Sequence, residues 1–236
     1  MASFLITHKA FDLPIQNKEK YTVLSPKGTT IENWPEIIYF DSPLDNRIFS
    51  ELSAMIWIRN NIKSDFITIN HYRRLLENMP FDICYAEPIN IGCSIAEQYK
   101  VFHNIDDLML CSNIIKNLYP ELYNIWLYTL QSPIFYPYNM VSFPQPIYSD
   151  YIDKMSKILF TFLNCIKVNN YDDMLKRIET IPTYTENNNA RNTDKVYQAR
   201  LVSFLAERIT SMYINYLIMT NNKCIPCFVK KFGGAF

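Results

Sequence analysis

Glycine is scarce in this chain, with 4 among 236 residues. The sequence contains neither G-x-G-x-x-G nor G-x-x-x-x-G-K-[S/T], the glycine-rich loops with which the common nucleotide-binding folds hold phosphates. It also lacks the G-x-S-x-G elbow of the α/β-hydrolases. These absences exclude the common nucleotide-binding signatures and the hydrolase elbow.

No charge of one sign predominates, because 23 basic residues balance 23 acidic ones. A general nucleic-acid surface is therefore not expected, since binding to a phosphate backbone usually needs a basic excess. No run reaches the ~18 uncharged apolar residues that a membrane span requires. The most apolar stretch, Ala199 to Met219, contains Arg200, Glu207 and Arg208 and is predicted to be an amphipathic helix.

No secretory signal is visible, so the six cysteines are expected to be free thiols in a reducing cytoplasm. Cys224 and Cys227 form an isolated C-x-x-C, which lacks the second pair of ligands of a zinc site. The last residues, 221–236, are expected to form a loosely packed tail. Alternatively, the lysines and phenylalanines of this segment would contact an anionic membrane surface peripherally.

The chain is rich in apolar residues, since 49% of its residues are hydrophobic and 15% are aromatic. Segments with strand and helix patterns alternate along it. Strands are predicted over Ser3–Thr7, Tyr21–Leu24, Glu36–Phe40, Phe66–Ile69, Phe81–Tyr85 and Tyr138–Ser142. Helices are predicted over Asn46–Asn61, Ile105–Leu118, Tyr119–Leu130, Tyr148–Ile166 and Lys195–Thr220, with loops over Ser94–His103 and Thr185–Asp194. This order is typical of an α/β domain.

The segment with the clearest chemical content is His71-Tyr72-Arg73-Arg74, at the end of the predicted strand Phe66–Ile69. Open α/β sheets bind ligands beyond the carboxyl ends of their strands, and a guanidinium offers a planar fork of donors to phosphate. The alternative is that the two arginines begin a helix and face water. His8 also follows a predicted strand, so a shared polar pocket with His71 is expected.

Acidic residues give a weaker signal. No D-x-D follows an apolar strand, and the pairs Asp106-Asp107 and Asp172-Asp173 are predicted to begin or flank helices. The residues therefore assign no metal ligands, although Mn²⁺ or Mg²⁺ stays an open alternative. Glu207-Arg208 lies within an apolar helix, where an ionic group is either paired, functional or part of an exposed stripe.

Five segments in order resemble a bacterial family described as a domain of unknown function and found in capsular-polysaccharide and lipopolysaccharide glycosyltransferases. The family pattern is T-H-K, E-L-T-x-x-Y-W-x-W-K-N, H-Y-R-R, an aromatic-N-M strand and a late E-R-L. The matching segments here are Thr7-His8-Lys9, Glu51–Asn60, His71–Arg74, Tyr138-Asn139-Met140 and Glu207-Arg208-Ile209.

The resemblance implies a single Rossmann-like, GT-A-like glycosyltransferase domain over 1–220, with a helical C-terminal part and a tail over 221–236. It implies sugar transfer from a nucleotide-sugar, UDP-linked and carrying galactofuranose or another hexose. The acceptor would be a bacterial surface polysaccharide or a lipid-linked oligosaccharide. The protein would then work in the cytoplasm or at the inner face of the cytoplasmic membrane.

The resemblance also implies roles for residues. Those expected at the donor diphosphate are His8, Lys9, Arg73, Arg74 and Arg208. Arg73 and Arg74 would neutralise part of the charge that develops on the departing nucleoside diphosphate, a role that a bound metal ion otherwise has. The expected catalytic residues are His71, which would contact the leaving group or the acceptor hydroxyl, and Glu207 or Glu51 as the base. Those expected on the sugar or acceptor side are Tyr72, Asp82, Tyr138 and Asn139, with Asp82 a further candidate base.

Two other classes of protein are open to this sequence. One is a non-catalytic glycan- or nucleotide-binding partner in a polysaccharide assembly complex, which the aromatic content and the missing D-x-D allow. The other is a nuclease or phosphotransferase using His71 and the arginines, for which no nucleophilic pair or metal set is apparent.

Overall fold

The computed structural model describes residues 1–11, 15, 17–42, 44–77, 79, 82–181, 194–220 and 223–232. Its strands are β1 (Ala2–Ile6), β2 (Thr22–Pro26), β3 (Ile37–Phe40), β4 (Phe66–His71), β5 (Arg74–Leu76), β6 (Ile83–Ala86), β7 (Ile89–Asn90), β8 (Ile134–Phe135), β9 (Val141–Pro144), β10 (Cys224–Cys227) and β11 (Val229–Lys231). Its helices are α1 (Asn46–Phe49), α2 (Leu52–Asn61), α3 (Ile95–Phe102), α4 (Ile105–Leu118), α5 (Pro120–Gln131), α6 (Gln145–Cys165), α7 (Tyr171–Thr180), α8 (Lys195–Gln198) and α9 (Leu201–Met219).

The main sheet runs in the order β10-β6-β9-β4-β1-β2-β3. Strands β1 to β4 are mutually parallel, β9 is antiparallel between β4 and β6, and β10 is parallel to β6. A hairpin joins β4 to β5, which pairs in turn with β11, while β7 and β8 form a separate ribbon. The described chain is thus an α/β, Rossmann-like fold, as the sequence predicts.

The central strands are largely buried because helices or loops cover both faces of the sheet, and their polar residues Thr68, Asn70 and Ser142 are buried with them. On one face, Phe4 and Ile6 pack with the helices, including the buried α9. On the other face, Leu5 and Val23 pack with Trp34. None of the helices in the described residues is both long and apolar enough to cross a membrane.

The strand order reverses next to β1. The chain proceeds from β1 to β2 and β3 on one side and returns to β4 on the other, where Ile6 lies opposite His71. Such a switch point leaves a crevice beyond the carboxyl ends of the two strands, since the connections leave them in opposite directions. The position of the candidate site follows from this topology.

Several predicted elements differ in the structure. The strand predicted over Tyr138–Ser142 is observed over Val141–Pro144, and the helix predicted over Asn46–Asn61 is divided at Ser50. Residues 94–103, predicted as a loop, contain helix α3. Their polar and aromatic composition indicated a loop, although the capping box formed by Ser94 and Glu97 marks the start of a helix. The helix predicted over Lys195–Thr220 is broken at Ala199 and Arg200. Most of the predicted loop Thr185–Asp194 lies outside the described residues, and Asp194 caps α8.

The expectation of a loosely packed tail is wrong for residues 224–231. Strand β10 pairs with β6 over Cys224–Cys227, and β11 pairs with β5 over Val229–Lys231. Alternation of buried and exposed residues is weak in such short strands, so hydrophobic pattern did not reveal them. Beyond β11, the Phe232 amide donates to the Arg73 carbonyl at 2.9 Å, so the C-terminal segment contacts the β4–β5 turn.

Candidate functional site

A cleft of about 260 Å³ opens at the switch point between β1 and β4. We call it the switch-point cleft. Its polar lining comes from the end of β1, the β4–β5 turn, the α1–α2 region and the start of α9: Thr7, His8, Lys9, His71, Tyr72, Arg73, Asn46, Ser50, Glu51, Ser53 and Arg200. The structure therefore brings together six residues predicted from the sequence, namely His8, Lys9, Glu51, His71, Tyr72 and Arg73.

The loop after β1 is held by its own threonine. Thr7 Oγ1 donates to the Lys9 carbonyl at 2.6 Å and accepts from the Lys9 amide at 3.2 Å, a local turn that presents His8 and Lys9 at the cleft. The Thr7 amide donates to the Leu24 carbonyl at 3.1 Å, which ties this loop to β2.

Tyr72 lies beside the basic residues of the cleft. Its buried ring lies 5.6 Å from the His8 ring, 5.5 Å from Lys9 Nζ and 4.9 Å from the Arg73 guanidinium carbon. A ring in this position attracts the cations to its face. Tyr72 thus packs against the basic side chains, and its predicted contact with the sugar or acceptor stays a prediction.

The two adjacent arginines point to different places because they lie in a hairpin. His71 pairs with Arg74 across the β4–β5 turn, and Asn70 Oδ1 accepts from the Leu76 amide at 2.9 Å. Arg73 enters the switch-point cleft, whereas the Arg74 guanidinium carbon lies 4.2 Å from the centre of the Tyr138 ring. Neither arginine begins a helix, so the alternative weighed for them from the sequence does not hold.

Positive charge dominates the switch-point cleft. Lys9, Arg73 and Arg200 line it, and among the cleft-lining residues that the structure describes Glu51 is the only carboxylate. Burial, followed by the charges of Arg74 and Arg73, lowers the pKa of His71 to about 3. His71 is therefore neutral at pH 7. Its Nδ1 atom is buried and makes no hydrogen bond within the described part of the chain.

The depressed pKa of His71 makes stability depend on pH. The unfolded chain, with a histidine pKa of about 6.5, takes up a proton below that pH that the folded protein excludes down to about pH 3. The free energy of unfolding should therefore fall as the pH drops, by roughly 1 kcal/mol between pH 7 and 5.5 for this histidine. Urea unfolding at the two pH values, compared between wild type and His71→Gln, isolates this contribution. An equal fall in both proteins would contradict a neutral buried His71.

Arg200 is the charged cleft residue that the sequence did not predict; the polar residues Asn46, Ser50 and Ser53 also line the cleft without having been predicted. Its Nε donates to Ser50 Oγ at 3.1 Å, a contact between residues 150 positions apart. The preceding turn is anchored by Gln198, whose Nε2 donates to the Phe102 carbonyl at 2.9 Å and whose Oε1 lies 3.1 Å from Nδ1 of His103. No local motif marks Arg200, because helical spacing continues through it.

Behind the cleft, a buried hydrogen-bond chain holds Glu51. Asn139 Nδ2 donates to Glu51 Oε1 at 2.8 Å, and Thr210 Oγ1 donates to Asn139 Oδ1 at 2.6 Å. Asn139 is not part of the predicted strand, since it and Tyr138 have φ values of 52° and 76°. Consecutive left-handed residues other than glycine are unfavourable, and the bonds to their neighbours hold this turn in place.

The second carboxylate, Glu207 on α9, contacts the same turn. Its Oε1 accepts from the Tyr138 amide at 3.1 Å, and its side chain is 24% exposed. Burial raises the pKa of Glu207, the charge of Arg208 lowers it, and the charge of Glu51 raises it again. The two carboxylates therefore influence each other, but only Glu51 lines the switch-point cleft.

Arg208, predicted at the donor diphosphate, does not line the switch-point cleft. It is buried, donates from Nη1 to the Phe204 carbonyl at 3.0 Å and from Nη2 to Gln98 Oε1 at 2.5 Å, and contacts Glu207 at 3.3 Å. On α9 it faces the helical layer rather than the cleft. Its observed contacts are those of a buried arginine that pairs with Glu207.

Asp82 is also distant from the other predicted residues. It precedes β6 and pairs with Lys223 at 3.0 Å. The strand register aligns Asp82 with Phe66. Phe66 precedes His71 by five residues, so Asp82 lies ~16 Å from the level of His71 along the strand direction. Asp82 lies at the amino end of its strand, at the opposite edge of the sheet from the cleft.

The described residues contain no group of three or more His, Cys, Asp or Glu side chains able to hold a metal ion. The fold and the site together define an α/β protein with a cation-lined ligand cleft at the switch point of its sheet. The chain belongs to the family designated domain of unknown function DUF4422, whose model matches residues 4–83 and 80–183. The membership of a domain-of-unknown-function family expected from five short motifs is thereby confirmed.

Comparison with curated proteins finds no match. Among solved structures, the apo structure of WbbM, a bifunctional glycosyltransferase, resembles the chain with a TM-score of 0.73 and 19% sequence identity. The similarity covers 99% of this chain and 45% of the WbbM chain, so this chain spans less than half of that protein's length. The predicted α/β, Rossmann-like fold class is confirmed by this likeness.

Proposed function

We propose that this protein is a glycosyltransferase that moves a hexose from a UDP-sugar to a bacterial surface polysaccharide or a lipid-linked acceptor. The observation that carries the proposal is the cluster of Lys9, Arg73 and Arg200 at the switch point of a fold shared with a glycosyltransferase. The cleft lies where open α/β sheets bind nucleotides.

The basic residues suit the diphosphate of the donor. Two guanidinium groups offer paired donors to phosphate oxygens, and the Lys9 ammonium adds a point charge. A hydrogen bond to a charged group contributes about 1.5–3 kcal/mol each. These cations would also stabilise the charge that develops on the departing UDP, which is the task of a metal ion in many sugar transferases.

The reaction needs a base on the other wall of the cleft. The acceptor hydroxyl oxygen attacks the anomeric carbon, the bond from that carbon to the diphosphate oxygen breaks, and its electron pair leaves with UDP. The hydroxyl proton passes to a carboxylate. Glu51 is placed for this role because it faces the cleft, while Glu207 lies behind the same turn. Neutral His71 donates a hydrogen bond to the leaving group.

A thermal-shift experiment tests donor binding. UDP and UDP-hexoses, including UDP-galactofuranose, are added to wild type and Arg73→Ala, with EDTA or with Mn²⁺. At 100 times Kd a ligand stabilises the fold by about 2.7 kcal/mol, which corresponds to roughly 5–10 °C for a chain of this size. We expect this rise in EDTA for wild type and a clearly smaller rise for Arg73→Ala at the same UDP concentration.

A rise that requires Mn²⁺ would overturn the role given to the basic residues. No rise with any nucleotide would overturn the proposed donor class. Release of UDP from the donor then separates an enzyme from a non-catalytic binding partner, because a binding partner should give a thermal shift without hydrolysis or transfer.

A further inference from the structure

A second cavity opens on the same rim of the sheet, beyond the carboxyl end of β6. Its volume is about 290 Å³, and its lining includes Glu87, Ile89, Asn90, Tyr138 and Lys231. Strand β6 runs parallel to β4, because both pair antiparallel with β9. The carboxyl ends of β4 and β6 therefore face the same side, and the two cavities are neighbours along one edge.

The Tyr138-Asn139 turn separates the two cavities. Tyr138 lines the second cavity, while Asn139 holds Glu51, which lines the switch-point cleft. The Tyr138 amide is bonded to Glu207 at 3.1 Å. Both carboxylates thus lie at this turn, between the basic residues of one cavity and the lining of the other. A molecule in the second cavity would approach the donor from the carboxylate side.

The chemistry of the second cavity differs from that of the switch-point cleft. One carboxylate, Glu87, is balanced by one ammonium, Lys231, so the lining carries no net charge. Tyr138 and the exposed Ile89 supply apolar surface, and Asn90 supplies an amide. A ring face with a few polar groups around it suits a sugar, which has apolar C–H faces and hydroxyl groups at its edge.

We propose that the second cavity is the acceptor subsite and binds a terminal neutral hexopyranose of the glycan acceptor. This assignment rests on the proposed function, since an acceptor is needed only if a sugar is transferred. Lys231 and Glu87 contact the hydroxyl groups, and Tyr138 and Ile89 contact the ring. The C-terminal strand β11, which carries Lys231, is then part of acceptor recognition.

The experiment compares Lys231→Ala and Ile89→Trp with wild type and a matched control, Lys230→Ala. Lys230 is the adjacent exposed lysine, pairs with Glu77 at 3.2 Å and does not line the cavity. The probes are p-nitrophenyl hexopyranosides of the gluco, galacto, manno, rhamno and N-acetylglucosamino series. Three quantities are measured: the UDP-induced thermal shift, the hydrolysis of the UDP-hexose by water, and the KM for each probe. Saturation-transfer NMR measures binding of the same probes.

We expect Lys231→Ala to raise the KM of the accepted probe about tenfold, the size of one lost hydrogen bond. Ile89→Trp fills the cavity and should abolish transfer and probe binding. The UDP shift and donor hydrolysis should match wild type in both variants, and Lys230→Ala should behave as wild type throughout.

Failure of this assignment is distinguishable from failure of the proposed function. If wild type shows the UDP shift but both variants transfer to the probe and bind it normally, the subsite is wrong and the donor site stands. If wild type binds UDP and none of the neutral probes, the assigned acceptor class is wrong. Absence of any UDP shift or donor hydrolysis in wild type would overturn the proposed function itself.

Discussion

Replacing Glu51 by Gln is expected to reduce kcat by about 10²- to 10⁴-fold, the range that general-base catalysis supplies. Glutamine keeps the size of the side chain, and its carbonyl oxygen can still accept from Asn139 Nδ2 as Glu51 Oε1 does at 2.8 Å. It cannot take the proton of the acceptor hydroxyl. Steady-state transfer of hexose from the UDP-sugar measures kcat, and the UDP-induced thermal shift should stay as in wild type.

Glu207→Gln is the matched control, because this carboxylate lies at the same turn but does not line the switch-point cleft. It should retain most of its turnover, provided that its melting temperature shows an intact fold. Loss of kcat in Glu207→Gln with normal kcat in Glu51→Gln would assign the base to Glu207. Normal turnover in both variants would rule out a carboxylate base at this turn.

Removing both cleft arginines is expected to have the largest effect on donor affinity. Arg73→Ala and Arg200→Ala each remove charge-assisted hydrogen bonds worth about 1.5–3 kcal/mol, which corresponds to roughly 10- to 150-fold in Kd per residue. The double variant should bind UDP more weakly than either single variant. Isothermal titration calorimetry with UDP measures the three dissociation constants.

Uridine provides the internal comparison, since it carries the same base and sugar without phosphate. Its affinity should not change in the arginine variants. Arg59→Ala serves as the control for loss of an arginine, because Arg59 pairs with Asp153 at 2.8 Å and does not line the cleft. An equal loss of affinity for UDP and uridine would mean that the arginines shape the cleft without holding phosphate.

Part of the candidate site could be predicted because it follows from strand ends. His8 and His71 each come after an apolar run, and carboxyl ends of parallel strands meet at one edge of a sheet. Asp82 shows the limit of the same reasoning. It also adjoins an apolar run, but at the amino end of β6, and this places it ~16 Å from the level of His71.

The two arginines of the last helical region illustrate a second limit. The E-R-L motif predicts Arg208 as a site residue, yet Arg208 contacts Gln98 inside the helical layer. Arg200 instead reaches the cleft from the break before α9. Periodicity defines a helix and its apolar face but does not say which neighbour each polar residue meets. A break in the helix changes the direction of the Arg200 side chain without changing the hydrophobic pattern of the sequence.

The sequence by itself determined the α/β class, the family and the strand end that carries His71 and Arg73, because these depend on local order along the chain. The tertiary structure alone decided that Asn139 holds Glu51 across 88 residues, that Arg200 meets Ser50 across 150, and that the C-terminal strands complete the sheet. Local periodicity encodes helices and strands. Contacts between distant residues depend instead on how those elements pack, and the strand order and the helix positions determine that packing.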